Sequence, residues 1–419
     1  MSIPNAHTAG ANDAYTPARL ITLVWLPFAF GYCFSLLFRS INAILSPELA
    51  RDIGLDPNEL GMLTSAYMLT FAAIQLPLGL LLDRLGPRRV NALLLAIAAL
   101  AAVMFAMATS LAGLTLARAL IGLGVSGCLM AAMKSFVIWF PRSQLASLNG
   151  WMLAAGGVGS FLATMPAEAV IRWSDWRTLF LLLAAGTGLA AAVIFLVVPE
   201  KASSAKRESF AELMAGLLLV AKSGVFWRVG LVSGLGAGAN MALGGLWIAP
   251  WMRDVAGFSQ AEIAAMLAFS TAVAIVGYAS SGMLADWLNR RGIDTFHVFL
   301  GGAATSFCML LLLALGVTQG LALILAVQAF AGATTLLSYA VLGRHFPEYL
   351  AGRFNTAANL LAFAAAFILQ WGIGAIINLW PVVEGHYASE GYLASFGLVF
   401  AVQLVVWLWS ASGGRVVHD

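Results

Sequence analysis

The 419-residue chain is expected to fold as an all-α polytopic membrane protein, with twelve transmembrane helices in two pseudo-symmetric six-helix bundles and both termini cytoplasmic. Three observations predict this. Hydrophobic residues make up 61% of the sequence and charged residues only 10%, whereas a soluble domain carries roughly 25% charged residues. Apolar runs long enough to cross a bilayer, about 20 residues each, recur along the whole length. Finally, two short stretches echo one another about two hundred residues apart: Gly79-Leu-Leu-Leu-Asp83-Arg84-Leu-Gly86-Pro-Arg88-Arg89 and Gly282-Met-Leu-Ala-Asp286-Trp-Leu-Asn-Arg290-Arg291-Gly292. Each closes an apolar run and sets a glycine four residues before an aspartate, with arginines following. Duplicated helical halves with a site at their interface are the architecture of secondary transporters.

Residues 1–19 are polar and lack the charged n-region and cleavage site of a signal peptide, so a cytoplasmic tail is expected to lead into an uncleaved first span. The first bundle, 20–198, has apolar runs near 20–45, 60–82, 89–109, 111–139, 144–168 and 177–198. The second, 226–411, has them near 226–251, 261–286, 295–317, 320–343, 354–380 and 391–411, before a short tail at 412–419. Between the bundles, 199–225 is the long polar interruption. There Phe210, Leu213, Met214, Leu217 and Leu218 recur at helical spacing, with Lys206, Arg207, Glu208 and Glu212 opposite them. That pattern reads as an amphipathic linker helix on the membrane surface, with a partly ordered tether as the alternative.

Orientation follows from the lysines and arginines. With the N-terminus cytoplasmic, fifteen cations fall on inner segments (Arg19, Arg84, Arg88, Arg89, Arg142, Lys201, Lys206, Arg207, Lys222, Arg228, Arg290, Arg291, Arg344, Arg353 and Arg415). Only four, Arg51, Arg172, Arg177 and Arg253, fall on outer loops. A second echo supports the repeat. Trp139-Phe-Pro141-Arg142 ends the fourth span and His345-Phe346-Pro347-Glu348 follows the tenth, and each leads to a glycine-bearing helix, with Asn149-Gly150 on one side and Gly352-Arg353-Phe354-Asn355 on the other.

The net charge of +3, with no basic cluster among aromatics, argues against nucleic acid as a partner. Cys33, Cys128 and Cys308 are far apart and lie in apolar runs, so they read as small buried side chains. No metal and no cofactor is expected. An enzyme would need a nucleophile, a metal cluster or an acid–base pair, and none is visible.

Three cations fall inside spans: Arg39 in the first, and Arg118 and Lys134 in the fourth. No carboxylate lies near the middle of any span. Asp83 and Asp286 sit at cytoplasmic helix ends, and Glu168 and Glu262 near outer ends. A charge at mid-membrane costs several kcal/mol and is usually kept for a pathway or a partner. A small anion would supply the missing charge, since a guanidinium grips carboxylate or phosphate in bidentate fashion. Arg39 and Arg118 are expected at similar depth, facing a shared cavity. Lys134 lies five residues before Trp139 and has snorkelling to the interface as its alternative. Asn240 lies 46 residues before Asp286, nearly the offset of 44 between Arg39 and Asp83. It is flanked by Gly234, Gly236, Gly238, Gly244 and Gly245, which weaken the helix there. Tyr32, Tyr67, Tyr278, Tyr339, Gln328 and Gln370 are further polar candidates, each with a plain helix–helix contact as its alternative.

The Gly-x-Leu-x-Asp-Arg-x-Gly-x-Arg-Arg pattern after the second span resembles the signature loop of the major facilitator superfamily (MFS). So do Arg118-Ala-Leu-Ile-Gly122-Leu-Gly124 in the fourth span and Pro199-Glu200 at the close of the sixth. The resemblance covers about 20–411. It implies the MFS fold, with first and fourth helices lining a central cavity. It also implies a conformational latch built from Gly79, Asp83, Arg84, Gly86 and Arg88, and from Gly282, Asp286 and Arg290. Asp83 would cap a neighbouring helix and pair with arginines, and the latch would hold the bundles together when the outside is open. Trp287 replaces a basic residue in the second copy and weakens it. Phe38-Arg39-Ser-Ile-Asn42 further resembles the first-helix motif of the organic-anion branch, which includes vesicular glutamate and sugar-acid transporters and in which arginines matching Arg39 and Arg118 contact the anion. An arginine matching Arg118 is also common in efflux pumps. The fifth span has its first proline at Pro166 and lacks the Gly-Pro motif usual in proton-driven drug antiporters.

The expected function is secondary active transport of a small organic anion, a carboxylate or phosphate-bearing metabolite, across the bacterial inner (plasma) membrane by alternating access. Uptake coupled to H+ or Na+ is the expected direction, in a monomer whose other contact is membrane lipid. The alternative is proton-driven efflux of amphipathic compounds or drugs.

Overall fold

A computed structural model describes residues 16–141, 144–200, 210–347, 350–383 and 385–413. Among them the fold is helical throughout, apart from an isolated bridge between Val383 and His386. Eleven helices are long and apolar enough to cross a membrane: Ala18–Ser40, Pro87–Met107, Leu111–Trp139, Ser147–Trp173, Trp176–Val197, Gly224–Asp254, Gln260–Asn289, Thr295–Ala314, Leu321–His345, Gly352–Ile377 and Ser389–Ser412. The twelfth, second in the chain, is the pair Pro57–Gln75 and Pro77–Leu85, bent by 57°. Pro77 lacks the N–H that would continue the ladder there, which is a standard cause of a kink. An even number of spans returns the chain to the face where it began, here called the terminal face.

The first run, expected to span 20–45, instead stops at Ser40, and a separate helix, Asn42–Ile53, follows with Pro47 inside it. The linker holds a helix at Phe210–Ala221 whose Gly216 meets the Arg353 side chain. Lys206, Arg207 and Glu208, the basis of its charged face, lie outside the described residues, as do Arg142, Lys201, Glu348 and Arg415.

The duplication is visible in packing. The first span packs on the fifth and sixth, the second on the fourth, and the third on the fourth and sixth. In the same way the seventh packs on the eleventh and twelfth, the eighth on the tenth, and the ninth on the tenth and twelfth. Helix starts repeat as well. Asp56 and Glu59 form a capping box at the second span, and Ser259 and Glu262 form one at the eighth. The two boxes stand at the same sequence offset that separates Asp83 from Asp286. Each satisfies backbone N–H groups that a helix start leaves open.

The halves meet through the second span on the eleventh and the fifth on the eighth. The buried core shows where. One continuous cluster joins the first half to the far ends of the second half's helices, from Leu246, Trp247 and Ile263 to Phe363, Ile373 and Tyr392. The terminal ends of the second half, including Phe226, Phe299, Leu342 and Phe354, form a cluster of their own. The molecule is therefore sealed at the far face and split into two bodies toward the terminal face.

Far-face loops are tied by charge. Asp52 accepts from Trp176 Nε1 (3.0 Å) and Arg177 Nη1 (2.6 Å), and the Arg177 contact holds its carboxyl below the usual carboxylate range. The Asp254 carboxylate is fully enclosed. It accepts from Arg253 Nε (2.7 Å), the Tyr392 hydroxyl (2.8 Å) and the Tyr387 N–H (3.2 Å), and His386 Nδ1 lies 2.9 Å away. Loss of one partner strands the rest of such a network. Asp254→Ala is expected to destabilise the second half by about 2 kcal/mol, read as a lower thermal midpoint in detergent.

Candidate functional site

The site forms where the far-face seal ends. Gln260 Nε2 donates to the Ile44 carbonyl (3.0 Å) and Trp371 Nε1 to the Asn58 side chain (2.8 Å), joining the halves near the far face. Deeper in, the second span approaches the eleventh so closely that a Cβ on Gly61 would stand 2.9 Å from the Gln370 carbonyl. At mid-span Phe71 of the second span stacks on Phe363 of the eleventh, with centroids 4.2 Å apart and an interplanar angle of 19°. Every hydrogen bond and ring stack described between the halves lies at this level or beyond it toward the far face.

Arg39 sits at that closed end. Its guanidinium lies 5.1 Å from the Phe71 centroid and 5.0 Å from the Phe363 centroid, so it touches a ring from each half. It is partly exposed, its Nε is buried without a partner, and no carboxylate pairs with it among the described residues. Tyr32, Tyr67 and Tyr278 fall within its electrostatic reach, Tyr278 from the second half.

Arg118 belongs to the same column but is shut away. It is 1% exposed, lies 5.4 Å from the Tyr67 ring, and donates from Nη2 to the Phe38 carbonyl (2.7 Å). Its Nε and Nη1 have no described partner. Tyr67 in turn stacks on Phe71 at 5.9 Å and donates its hydroxyl to the Ser35 carbonyl (3.2 Å). The expectation that both arginines face a shared cavity therefore needs correcting: they share one column, but Arg39 is partly exposed whereas Arg118 is buried. Arg118 is held under the Tyr67 ring of the second span and against the Phe38 backbone carbonyl of the first.

Other candidates are placed differently. Lys134 pairs with Asp83, so it is not a cation without an acidic mate. The periodicity hid this, because the two meet only when the fourth span crosses the second. Among the described residues Asp83 neither caps a helix nor pairs with the arginines of its own loop. The helix after that loop starts at Gly86 (φ 83°) with no side-chain cap, while Arg88 and Arg89 pair with Glu200 and Arg88 donates to the Phe195 carbonyl (2.8 Å). Asp286 and Arg290 are exposed and make no described ion pair, and Arg291 stacks on Trp287 at 3.8 Å. At the terminal face of that half Asp294 pairs with Arg344 instead. Gly79 and Gly282 face open space, and Arg84 is exposed. Among the described residues, those expected to form the latch make no hydrogen bond or ion pair between the halves.

Gln370 is fully buried in the far-face seal; its carbonyl accepts from Trp247 Nε1 (2.8 Å) while its side-chain amide has no partner. Tyr32 packs against Gly156 and Asn240 against Gly332, each within its own half. Tyr339 joins the terminal-side cluster of the second half, away from Arg39. Sequence reasoning passed over Phe71 and Phe363, since a phenylalanine in an apolar run carries no signal of its own. Asp254 and His386 were also missed, although adjacent Arg253 and Asp254 at a span end were a visible cue.

The family model described as Major Facilitator Superfamily matches residues 28–370. The chain belongs to this superfamily. Its long apolar helices are those of an integral membrane protein of that family. A "Probable sulfoacetate transporter" of Cupriavidus necator is 24% identical over 59% of this chain and 61% of its own length. An uncharacterized transporter of Bacillus subtilis is 29% identical over 33% of this chain and 32% of its own. A "Putative multidrug resistance protein" of Cronobacter sakazakii is 27% identical over 49% of this chain and 42% of its own. The chain thus spans less than two thirds of the length of these curated relatives. Among solved structures, a bacterial homologue of the human lysosomal transporter Spinster, inward-facing and occupied, superposes with a TM-score of 0.76 at 17% identity, covering 96% of this chain and 97% of that one. A D-xylose–proton symporter superposes with a TM-score of 0.70 at 17% identity, covering 92% and 97%. These two share the fold.

Proposed function

We propose that this transporter carries a small organic anion across the bacterial inner membrane, with Arg39 as the group that holds the anion. One observation carries the reading: a guanidinium at the closed end of the split, partly exposed, with an unpartnered Nε and no described carboxylate. A charge kept at that depth needs a partner, and a carboxylate, sulfonate or phosphate fits its bidentate face. The sulfoacetate relative, whose named substrate is an organic anion, supports the class. The terminal face is taken as cytoplasmic from its excess of lysine and arginine, so the conformation described is open inward. The bundles then comprise 20–198 and 226–411, joined by the 199–225 linker, and alternate by rocking about the site between them.

Coupling follows from the membrane potential. An inside-negative potential opposes anion entry by about 2.3 kcal/mol per charge for each 100 mV. A co-transported cation, H+ or Na+, or a counter-moving anion has to offset that. In this reading Arg118 positions the first span through Phe38, and Tyr67 and Tyr278 border the anion. Lys134 serves the loop rather than the ligand. Lys134→Gln is therefore expected to leave anion affinity within about twofold while lowering stability by roughly 1 kcal/mol, measured by titration and thermal unfolding of the purified protein.

A second reading, efflux of amphipathic compounds, is favoured by the relative named for multidrug resistance and by the aromatic walls around Arg39. Uptake into proteoliposomes of carboxylates, sulfoacetate, phosphates and cationic dyes separates the two. Movement of dyes without movement of anions sinks the first.

A further inference from the structure

Arg118 is a buried cation that makes no ion pair among the described residues. What it meets is a helix end. The helix of the first span stops at Ser40: the Ile41 N–H still reaches the Leu37 carbonyl (3.0 Å), but Ile44 and Leu45 both turn back to Ile41. A helix end leaves its last carbonyls without ladder partners and carries the negative pole of the helix dipole. Phe38 supplies one of those carbonyls, and Arg118 Nη2 donates to it at 2.7 Å. A charge-assisted bond at that pole gives the buried guanidinium a counter-charge made of backbone.

The residues on either side of Arg39 are held by three other spans. The fourth holds the Phe38 carbonyl, the Phe38 ring lies 6.2 Å from that of Phe180 on the sixth, and Ser40 Oγ donates to Ser160 Oγ of the fifth (3.3 Å). Beyond the break, Asn42–Ile53 packs on Leu243–Trp247 and Ile248–Asp254 of the other half, and Gln260 donates to its Ile44 carbonyl. The helix end that aims Arg39 therefore also starts a segment of the far-face seal.

We infer that Arg118 is a positioning residue, the cap of the first span's helix end, and that it acts on the anion through Arg39 without touching it. The inference rests on the anion reading of Arg39 and adds what sets that side chain in place. Without the cap, the Phe38 carbonyl is free to take the Asn42 N–H, the helix runs on past Ser40, and both Arg39 and the Asn42–Ile53 segment are displaced.

The test compares Arg118→Lys and Arg118→Met in the full chain, alone and combined with Arg39→Gln, with sulfoacetate and the carboxylates as probes. A cap needs one charged donor, so Arg118→Lys is expected to keep anion affinity within about threefold of wild type, whereas Arg39→Lys loses roughly 10-fold. Arg118→Met is expected to weaken binding about 10-fold, the loss of one charged hydrogen bond to a buried acceptor. In the Arg39→Gln background the same change costs less than about twofold, because the group it acts through is gone. Spin labels at Arg51→Cys and Leu379→Cys, exposed far-face positions on opposite halves, read the seal in a chain whose Cys33, Cys128 and Cys308 are replaced. Without ligand, the label distances lengthen in Arg118→Met and match wild type in Arg118→Lys. If Arg118→Lys loses as much as Arg39→Lys and the methionine loss adds in full to that of Arg39→Gln, Arg118 grips the anion itself and the inference is overturned. Unchanged affinity and distances in Arg118→Met overturn it equally, and if that variant does not fold, the two lysine variants decide. If the probes bind Arg39→Gln as well as wild type, the anion reading fails instead, and the ligand-free distances alone decide whether Arg118 caps the helix.

Discussion

Arg39→Gln is expected to lower anion uptake about 100-fold, the loss of a pair of charge-assisted hydrogen bonds at a desolvated site. Glutamine keeps length and some donors but no charge, so helix packing is retained while the anion loses its counter-ion. Arg39→Lys should fall between, roughly 10-fold below wild type, because an ammonium supplies charge without the planar fork. Initial rates in proteoliposomes, paired with direct binding to the purified protein, check both. Uptake that survives Arg39→Gln unchanged would end the anion reading. The ordering of the three side chains is more telling than any one rate, since a packing role would not rank lysine above glutamine.

The second large effect is expected from Gly374→Leu. A Cβ at Gly374 would press on the Pro57 carbonyl and lie 2.8 Å from the Trp247 ring, and Pro57 belongs to the other half. Overpacking costs about 1–3 kcal/mol in a core that adjusts, and here the obstacle is backbone. The clash with Trp247 lies within the second half and burdens both conformations, whereas the clash with the Pro57 backbone falls only on the one with the far face sealed, so the equilibrium moves toward far-open by roughly 10- to 100-fold. Transport should nearly stop while anion binding from the far side persists. Gly372→Leu is the control: it lies on the same helix and faces open space, so its uptake should stay within about twofold of wild type. Equal loss from both substitutions would show general damage to the eleventh span and not a blocked seal.

How much was legible beforehand can be judged from particular residues. Spans were readable because lipid offers no partners for backbone groups, so each crossing must be a long apolar helix. The first was overrun at its end: Ser40 and Asn42 straddle a break that hydropathy passes over, as the helix beyond it is also largely buried. Arg39 was readable as a costly charge. The company it keeps was not, because Phe71 and Phe363 are indistinguishable by pattern from lipid-facing phenylalanines. The pairing of Lys134 with Asp83 was equally hidden, since both ends of that contact are unremarkable until two helices cross.

The chain's own order of residues determined the membrane class, the count of spans, the duplication and the cations that need an explanation. Those properties depend on local hydrophobicity and on repeats, which are written linearly. Tertiary structure alone decided which cation stays partly exposed, which finds a carboxylate, and which face of the molecule is sealed. Such outcomes depend on distances between helices far apart in sequence, where a few ångströms separate a buried guanidinium such as Arg118 from an accessible one such as Arg39.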